Sequence, residues 1–284
     1  MKIFECVPNV SEGRDPAVIE ACAAAIERAG ARLAHRTSDV AHHRSVFTFF
    51  GSHAHVLDAA LALASVARER IDLREHDGAH PRIGALDVLP FIPFDDATLA
   101  DAAEVAREAA ARLWQELGLP SFLYGAAASG TGGRSLVDVR RGGFEGLATR
   151  ADRPDAGDAH HPSAGAVAVG AREVLVAFNL VLASDDLALA RRIARALRDR
   201  DGGLRTVRAL GLRQSDGRVQ ISCNVTSVAA TPLERLVALV RALAATHGAH
   251  VAECELIGLV PRAALEAVVA RSFGSDTAYG RTGR

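Results

Sequence analysis

The order of apolar and polar positions predicts alternating strands and helices. Period-two alternation or continuous apolar runs of β-branched and aromatic residues predict strands, and apolar residues at helical spacing predict helices. In the first part of the chain the predicted strands are residues 2–10, 31–51 (a hairpin), 85–94 and 121–128, and the predicted helices are residues 17–30, 52–72 and 95–118. The order through residue 94 is therefore βαββαβ.

Capping residues support the helix assignments. Asp15 followed by Pro16 is typical of a helix start, as is Ser52, and Asp95 or Asp96 is the expected N-cap of the third helix. Gly118 is expected to end that helix, because glycine readily adopts the left-handed conformation after a last turn.

The second part of the chain repeats the βαββαβ order. A strand pair or long strand is predicted at 166–182, a helix at 185–200, a hairpin at 206–227, a helix at 232–248 and a strand at 250–261. We therefore expect an α/β (α+β) fold of two tandem βαββαβ ferredoxin-like subdomains, residues 1–165 and 166–284. Residues 129–165, rich in Gly, Asp, Arg and Pro, are expected to form loops, and a ligand is expected in a groove between the subdomains.

Composition restricts the class of partner. The 33 basic and 34 acidic residues are interspersed and give a net charge of −1, which argues against nucleic acid and anionic membranes and favours a small molecule. Because there is neither a signal-peptide pattern nor a long uncharged apolar run, we expect a cytoplasmic protein. The four widely spaced cysteines are typical of free thiols in a reducing compartment, and Lys2, the only lysine, makes a Schiff-base mechanism implausible.

The segment His80-Pro81-Arg82 is the first candidate for chemistry. An imidazole titrates near neutrality, a guanidinium binds a carboxylate with two hydrogen bonds, and Pro81 restricts His80 to an extended backbone. Spacing alone nevertheless favours an ordinary polar loop over a catalytic one.

Two further polar clusters are predicted near strand ends. Asn9, Ser11 and Arg14 occupy a strand-to-helix turn that could bind a carboxylate or could simply cap the helix. Asp39 lies in the first hairpin with Arg44 and a pair of histidines, an arrangement that suits an aspartate orienting an imidazole. A metal site there is disfavoured, because adjacent histidines on a strand point to opposite faces; we expect no metal.

Glycine-rich stretches give weaker signals. Residues 129–135, SGTGGRS, lack the lysine and spacing of a phosphate-binding loop, so a flexible connector is the better interpretation. Residues 154–165, PDAGDAHHPSAG, could either line a groove with backbone amides or serve as a linker.

Several longer blocks together resemble one known family. In chain order these are CVPNVSEGR, HPRIGALDVLPFIP, LYGAAA, RRGGFEGL, HPSAGAVAVGAREVLVAFN, TVRALGL, QISCNVT with TPLERL, and ELIGLVP. They resemble the formiminotransferase domain family from about residue 4 to about residue 265. This chain departs from the family pattern at Val10 (usually Phe), at His43 (usually Asn) and in PDAGD, where PDFGP is common.

The resemblance implies a reaction and roles for particular residues. It implies transfer of the formimino group of N-formimino-L-glutamate to N5 of tetrahydrofolate, by a homodimer that needs tetrahydrofolate as co-substrate and no metal. The family's catalytic histidine falls on His80, the expected general acid/base, and Asp39 is the candidate to orient it. The candidates for substrate binding are Asn9, Ser11, Arg14, Arg44 and Arg82. The family's folate-contacting segment falls on Gly157, Asp158, Ala159, His160, His161, Pro162, Ser163, Ala164 and Gly165.

Two alternatives stay open at this level. The donor could be N-formylglutamate, which differs from the formimino donor by an oxygen in place of a nitrogen. The chain could also be a folate-binding module without turnover, although such a module has no need of a titratable group in the position of His80.

Overall fold

The computed structural model describes residues 1–78, 80–129, 134–214, 216–262 and 264–266. These residues form two compact units that divide after residue 173, each built around its own sheet. The expected mixed α/β architecture with two sheets is confirmed. Four residues of the glycine-rich connector, 130–133, lie outside the described residues.

The first unit has a seven-stranded sheet. Its strands are β1 (Ile3–Cys6), β2 (Asn9–Val10), β3 (Arg32–Asp39), β4 (Arg44–Gly51), β5 (Leu86–Phe94), β6 (Ser121–Gly125) and β7 (Val167–Ala171). Both β1 and β2 pair antiparallel with β4 on one side and with β5 on the other, and β3 adds outside β4. On the far side of β5, β7 and then β6 add in parallel.

Three long helices cover one face of this sheet. They are α1 (Pro16–Arg28), α2 (His53–Arg70) and α3 (Leu99–Leu117), and a main hydrophobic core lies between them and the strands. A smaller core on β5, β6 and β7, around Ile83, Phe122 and Tyr124, is completed by the short helix α4 (Leu136–Val139). The start of β5 is therefore buried on both faces, and any charged residue there must find partners within the protein.

The second unit has a four-stranded antiparallel sheet. Its strands are β8 (Val176–Leu182), β9 (Val207–Arg213), β10 (Val219–Val225) and β11 (Val251–Ile257), and its helices are α5 (Leu187–Leu197) and α6 (Leu233–Ala245). The sheet order is β11-β8-β10-β9, and the helices pack on it around a separate core. In the first unit β1 lies between β4 and β5, with β3 at an edge. In the second unit β8 lies between β10 and β11, with β9 at an edge, so the βαββαβ strands of both units follow the same spatial order.

The structure differs from the sequence prediction around residue 166. The run from 166 to 182, predicted to open the second half, is two strands, of which β7 belongs to the first sheet and β8 to the second. The units therefore divide after residue 173, whereas the sequence places the boundary after residue 165. An apolar strand buried on both faces carries no information about its partners, which is why the pattern alone misplaces it.

Most predicted caps are found. Asp15 and Ser52 each accept a hydrogen bond from the first turn of their helix, and Gly118 ends α3 in the left-handed conformation. The N-cap of α3 is Thr98, not Asp95 or Asp96; Thr98 and Asp101 form a reciprocal capping box. That box satisfies two backbone N–H groups at once, which an aspartate three residues earlier does not do.

Gly165 gives a stability test in the first unit. Its φ is +70°, and a Cβ added there would lie 2.0 Å from the carbonyl oxygen of Ile83. We expect Gly165→Ala to lower the free energy of unfolding by about 3 kcal/mol, from left-handed strain plus overpacking. Gly118→Ala is the control, because its φ is +64° with nothing within 4 Å of the added Cβ, and it should cost about 1 kcal/mol. Equal losses in chemical denaturation would contradict the close contact at Gly165.

Candidate active site

His80 lies in the loop that leads from α2 into β5 and is half-buried. Its Nδ1 is 2.7 Å from the carbonyl oxygen of Pro81. Because a carbonyl oxygen only accepts, Nδ1 must carry the hydrogen, and the lone pair of the neutral ring is on Nε2. The backbone of the segment thereby leaves Nε2 as the atom that can take up a proton.

Beside this loop, Asp87 is the buried charged group on which three segments converge. Its side chain is fully buried; Oδ1 accepts from the backbone N–H of Ile83 at 2.8 Å, and Oδ2 accepts from Arg44 Nη1 at 2.8 Å and Arg140 Nη2 at 2.5 Å. Although burial acts to raise the pKa of Asp87, the two guanidinium groups outweigh it and lower that pKa, so the carboxylate is charged. Asp87 thus bonds to three segments of the chain: Arg44 at the start of β4, Arg140 at the end of α4, and Ile83 in the loop before β5.

The surroundings keep His80 neutral. Burial, and then the positive charges of Arg44 and Arg140, lower the pKa of His80 to about 4, against smaller opposing effects from Pro81 and Asp87. Burial also lowers the pKa of Arg44 to about 10, which still leaves it charged at neutral pH. At pH 7 the site therefore presents a neutral imidazole next to a net positive cluster.

Arg82 holds the loop onto the turn at residues 140–146. Its guanidinium pairs with Glu145 at 2.9 Å, donates to the carbonyl oxygen of His76 at 3.0 Å and lies 6.0 Å from the ring centroid of Phe144. The backbone N–H of Phe144 in turn donates to the carbonyl of Arg82 at 2.8 Å. In this structure the predicted substrate-binding Arg82 has internal partners.

Arg14 also has internal partners. It pairs with the Asp77 carboxylate at 2.6 Å and donates to the carbonyl oxygens of Asp77 and Val40, at 2.9 and 3.1 Å. These bonds connect the strand-to-helix turn, the β3–β4 hairpin and the loop that carries His80. The residue predicted to bind substrate thus connects the three segments around the site.

Asn9 contacts an arginine of the site, whereas Ser11 bonds to the backbone beside it. Asn9 Oδ1 accepts from Arg44 Nε at 3.0 Å, so Asn9 helps to orient that guanidinium. Ser11 is buried, and its hydroxyl donates to the carbonyl of Gly84 at 2.7 Å, next to the start of β5.

Asp39 does not orient His80 directly. Its carboxylate is 2.8 Å from His42 Nδ1 and accepts the backbone N–H of His42 at 2.7 Å. The His42 ring contacts His80 edge-on, with ring centroids 6.1 Å apart. The prediction that Asp39 orients His80 directly is corrected, because the tight turn at residues 40–43 brings His42 to the Asp39 carboxylate.

Two more histidines stabilise the hairpin against the loop. His43 has a left-handed backbone with φ +49°, its Nδ1 accepts from the N–H of Gly13 at 3.1 Å, and its ring stacks on His76 at 4.3 Å. Burial lowers the pKa of both His43 and His76, so both rings are neutral at pH 7 and can stack without repulsion. Among the described residues, no group of three or more His, Cys, Asp and Glu side chains could hold a metal ion.

The carboxyl end of the predicted folate-contacting segment is hydrogen-bonded to the loop that carries His80. The carbonyl of Ser163 accepts from the N–H of Leu73 at 2.8 Å, and the carbonyl of Ala164 accepts from the N–H of Ala85 at 2.9 Å. His161 Nδ1 accepts from the N–H of Ala164 at 3.0 Å and stabilises the turn. The structure therefore brings residues 161–165 and the loop around His80 together in the first unit.

The sequence prediction missed Arg140, Asp87 and Glu145 as members of this site. Asp87 gave a usable signal, because an aspartate inside the apolar run ALDVLPFIPF is expected to be buried and so needs a cationic partner. Nothing in its spacing names Arg140, 53 positions away, as that partner.

Comparison with known families follows the same division into two units. The model of the N-terminal subdomain of the formiminotransferase domain matches residues 3–172, and the model of the formiminotransferase domain matches residues 177–273. The chain therefore belongs to the formiminotransferase family.

Curated relatives make the assignment more particular. The chain is 40% identical over 271 residues to glutamate formimidoyltransferase of Streptococcus pyogenes serotype M1, covering 93% of this chain and 91% of that protein. It is 38% identical over 273 residues to glutamate formimidoyltransferase of Thermoplasma acidophilum, covering 93% and 90%. The formimidoyltransferase-cyclodeaminase of Sus scrofa is 38% identical over 277 residues, and the match spans 51% of its length. In the part of this chain that the structure describes, no helix is both long and apolar enough to cross a membrane.

The state of His80 can be measured directly. We expect its ring proton resonances, assigned by their loss in His80→Asn, to titrate with a midpoint near the pKa of about 4. The sign follows from burial and the two arginines, which both disfavour the imidazolium. NMR titration of the free protein checks it, and a midpoint near the ordinary value of about 6.5 would contradict the arrangement.

Proposed function

We propose that this protein is a glutamate formimidoyltransferase. It transfers the formimino group of N-formimino-L-glutamate to N5 of tetrahydrofolate, and the products are L-glutamate and 5-formiminotetrahydrofolate. Two relatives of that name, at 38–40% identity over 93% of the chain, support the activity. The observation in the structure that carries the chemistry is a neutral imidazole whose Nε2 carries the lone pair, beside a net positive cluster.

The reaction needs one group that first accepts and then donates a proton. N5 attacks the carbon of the protonated amidine, the new N–C bond forms as the C=N π pair moves onto the imino nitrogen, and the N5 proton passes to His80 Nε2. The imidazolium then gives that proton to the glutamate nitrogen, whose bond to carbon breaks as the C=N bond is restored. No proton is gained or lost overall, and a neutral histidine can begin the cycle at pH 7.

This mechanism refines the role expected for His80. His80, expected as a general acid/base, begins the reaction as a base, because its imidazole is neutral in the free protein. The lowered pKa of His80 in the free protein keeps the imidazole unprotonated at pH 7 and able to accept the N5 proton.

We infer that tetrahydrofolate contacts residues 157–165. Backbone bonds attach the end of this segment to the loop of His80 and to the start of β5, so a pteridine bound there would lie near the imidazole. The strand order of the two units supports our further inference that both are ferredoxin-like subdomains. A folate site in a groove between the subdomains stays a prediction.

We further propose that Asn9 and Ser11 act through the scaffold of the site, since both bond to its arginine or its backbone. Arg14 and Arg82 could bind substrate only by exchanging the partners described above. The family resemblance implies a homodimer in the cytoplasm; analytical ultracentrifugation tests the first of these two properties.

Removal of the imidazole should abolish most of the rate. We expect His80→Ala to reduce kcat by about 100-fold or more, the usual contribution of a general acid–base, with KM changed much less. His53→Ala is the matched control, because His53 is an exposed histidine of the same unit that pairs with Glu108 on the helix face. Glutamate release with tetrahydrofolate as acceptor is the measurement, and a His80→Ala enzyme with more than about a tenth of the wild-type rate would exclude the acid–base role.

The donor is decided by parallel assays. We expect turnover with tetrahydrofolate and N-formimino-L-glutamate to exceed turnover with N-formyl-L-glutamate, because an amidine is the group that the relatives' names specify. Preference for the formyl donor would assign a formyltransferase. Saturable folate binding without turnover of either donor would assign a binding module.

A further inference from the structure

Two arginines share one buried carboxylate beside His80. Arg44 and Arg140 both bond to Oδ2 of Asp87, and the side chains of Asp87, Arg44 and Arg140 are 0%, 8% and 18% exposed. Two formal charges of +1 and one of −1 leave a net charge of +1 in a largely desolvated place. An unbalanced buried charge is costly, so the cluster is complete only with another anion.

The cluster also holds an unused donor. Asp87 Oδ1 is taken by the N–H of Ile83, and Arg44 Nε donates to Asn9. Arg140 Nε, by contrast, is buried and has no hydrogen-bond partner within the described residues. A free N–H next to excess positive charge is what a carboxylate oxygen can satisfy.

We propose that Arg44 and Arg140, held in place by Asp87, bind one carboxylate of the glutamyl donor next to His80. This inference rests on the proposed function and specifies the group by which the site recognises its donor. Arg44 was already a candidate from the sequence, and Arg140 is new. Asp87 is a positioning residue, because it acts through the two arginines and the backbone of Ile83.

Donor binding is thereby coupled to proton transfer. Among the residues that the structure describes, the charged and titratable groups that face His80 are Arg44, Arg140, Asp87 and the ring of His42. A donor carboxylate cancels the excess positive charge and raises the pKa of His80. The imidazole is a neutral base in the free protein and holds the transferred proton more readily once the donor is bound.

Adjacent arginines provide a matched pair of variants. Arg140→Met leaves Asp87 paired with Arg44, so the buried carboxylate keeps a partner and the fold is expected to hold. We expect it to raise KM for the donor by about 10-fold or more, the value of a charge-assisted hydrogen bond, and to change KM for tetrahydrofolate by less than about 2-fold. Arg141→Met is the control, because Arg141 is 79% exposed and pairs with Asp138, and both KM values should stay near wild type.

The NMR titration of His80 gives a readout that does not depend on turnover. The Arg140→Met variant should raise the His80 pKa toward its ordinary value, and saturating glutarate should raise it in the wild type but much less in the variant. Glutaramide, the uncharged analogue of glutarate, should have no effect. Arg140→Lys, which keeps a charge, should restore most of the low His80 pKa if Arg140→Met proves poorly folded.

The outcomes separate the two proposals. Equal increases in both KM values in Arg140→Met, with the His80 titration unchanged by the variant and by glutarate, would overturn the carboxylate site while leaving the activity in place. Absence of turnover by the wild type with either donor would overturn the proposed function, whatever the glutarate titration shows.

Discussion

The bonds to the buried carboxylate of Asp87 are the constraint on which the candidate site depends. The Asp87 carboxylate accepts hydrogen bonds from the backbone N–H of Ile83, from Arg44 at the start of β4 and from Arg140 at the end of α4. The apolar surroundings at the start of β5 make these bonds strong and make the loss of any one of them costly. The same bonds hold the positive charge that keeps His80 neutral, so the scaffold and the proton affinity have one physical origin.

Around that centre, the loop bearing His80 is attached at several points. Arg14 and the stacked pair of His43 and His76 fix its first part to the β3–β4 hairpin, and Ser163 fixes it to the predicted folate segment. These contacts join segments from distant parts of the chain into one surface. Arg14 and Arg82, predicted from the sequence to bind substrate, therefore position the loop in this structure.

The division between prediction and structure follows the range of each signal. Helix caps such as Asp15 and Ser52, and the hairpin at residues 31–51, depend on residues within a few positions of each other, and the structure confirms them. β7 was assigned to the wrong half because its burial on both faces hides its pairing. Asp39 was paired with His80 in the sequence interpretation, whereas the turn between the strands gives it to His42.

The sequence by itself determined the βαββαβ order of both units and the family, because these are encoded in local periodicity and in long collinear blocks. Only the tertiary structure decided that Arg140 reaches Asp87, that Nε2 carries the lone pair of His80, and that the imidazole is neutral. Those properties depend on burial and on charges from segments far apart in the chain. Desolvation and Coulomb interaction are set by distance in space, which no local pattern records.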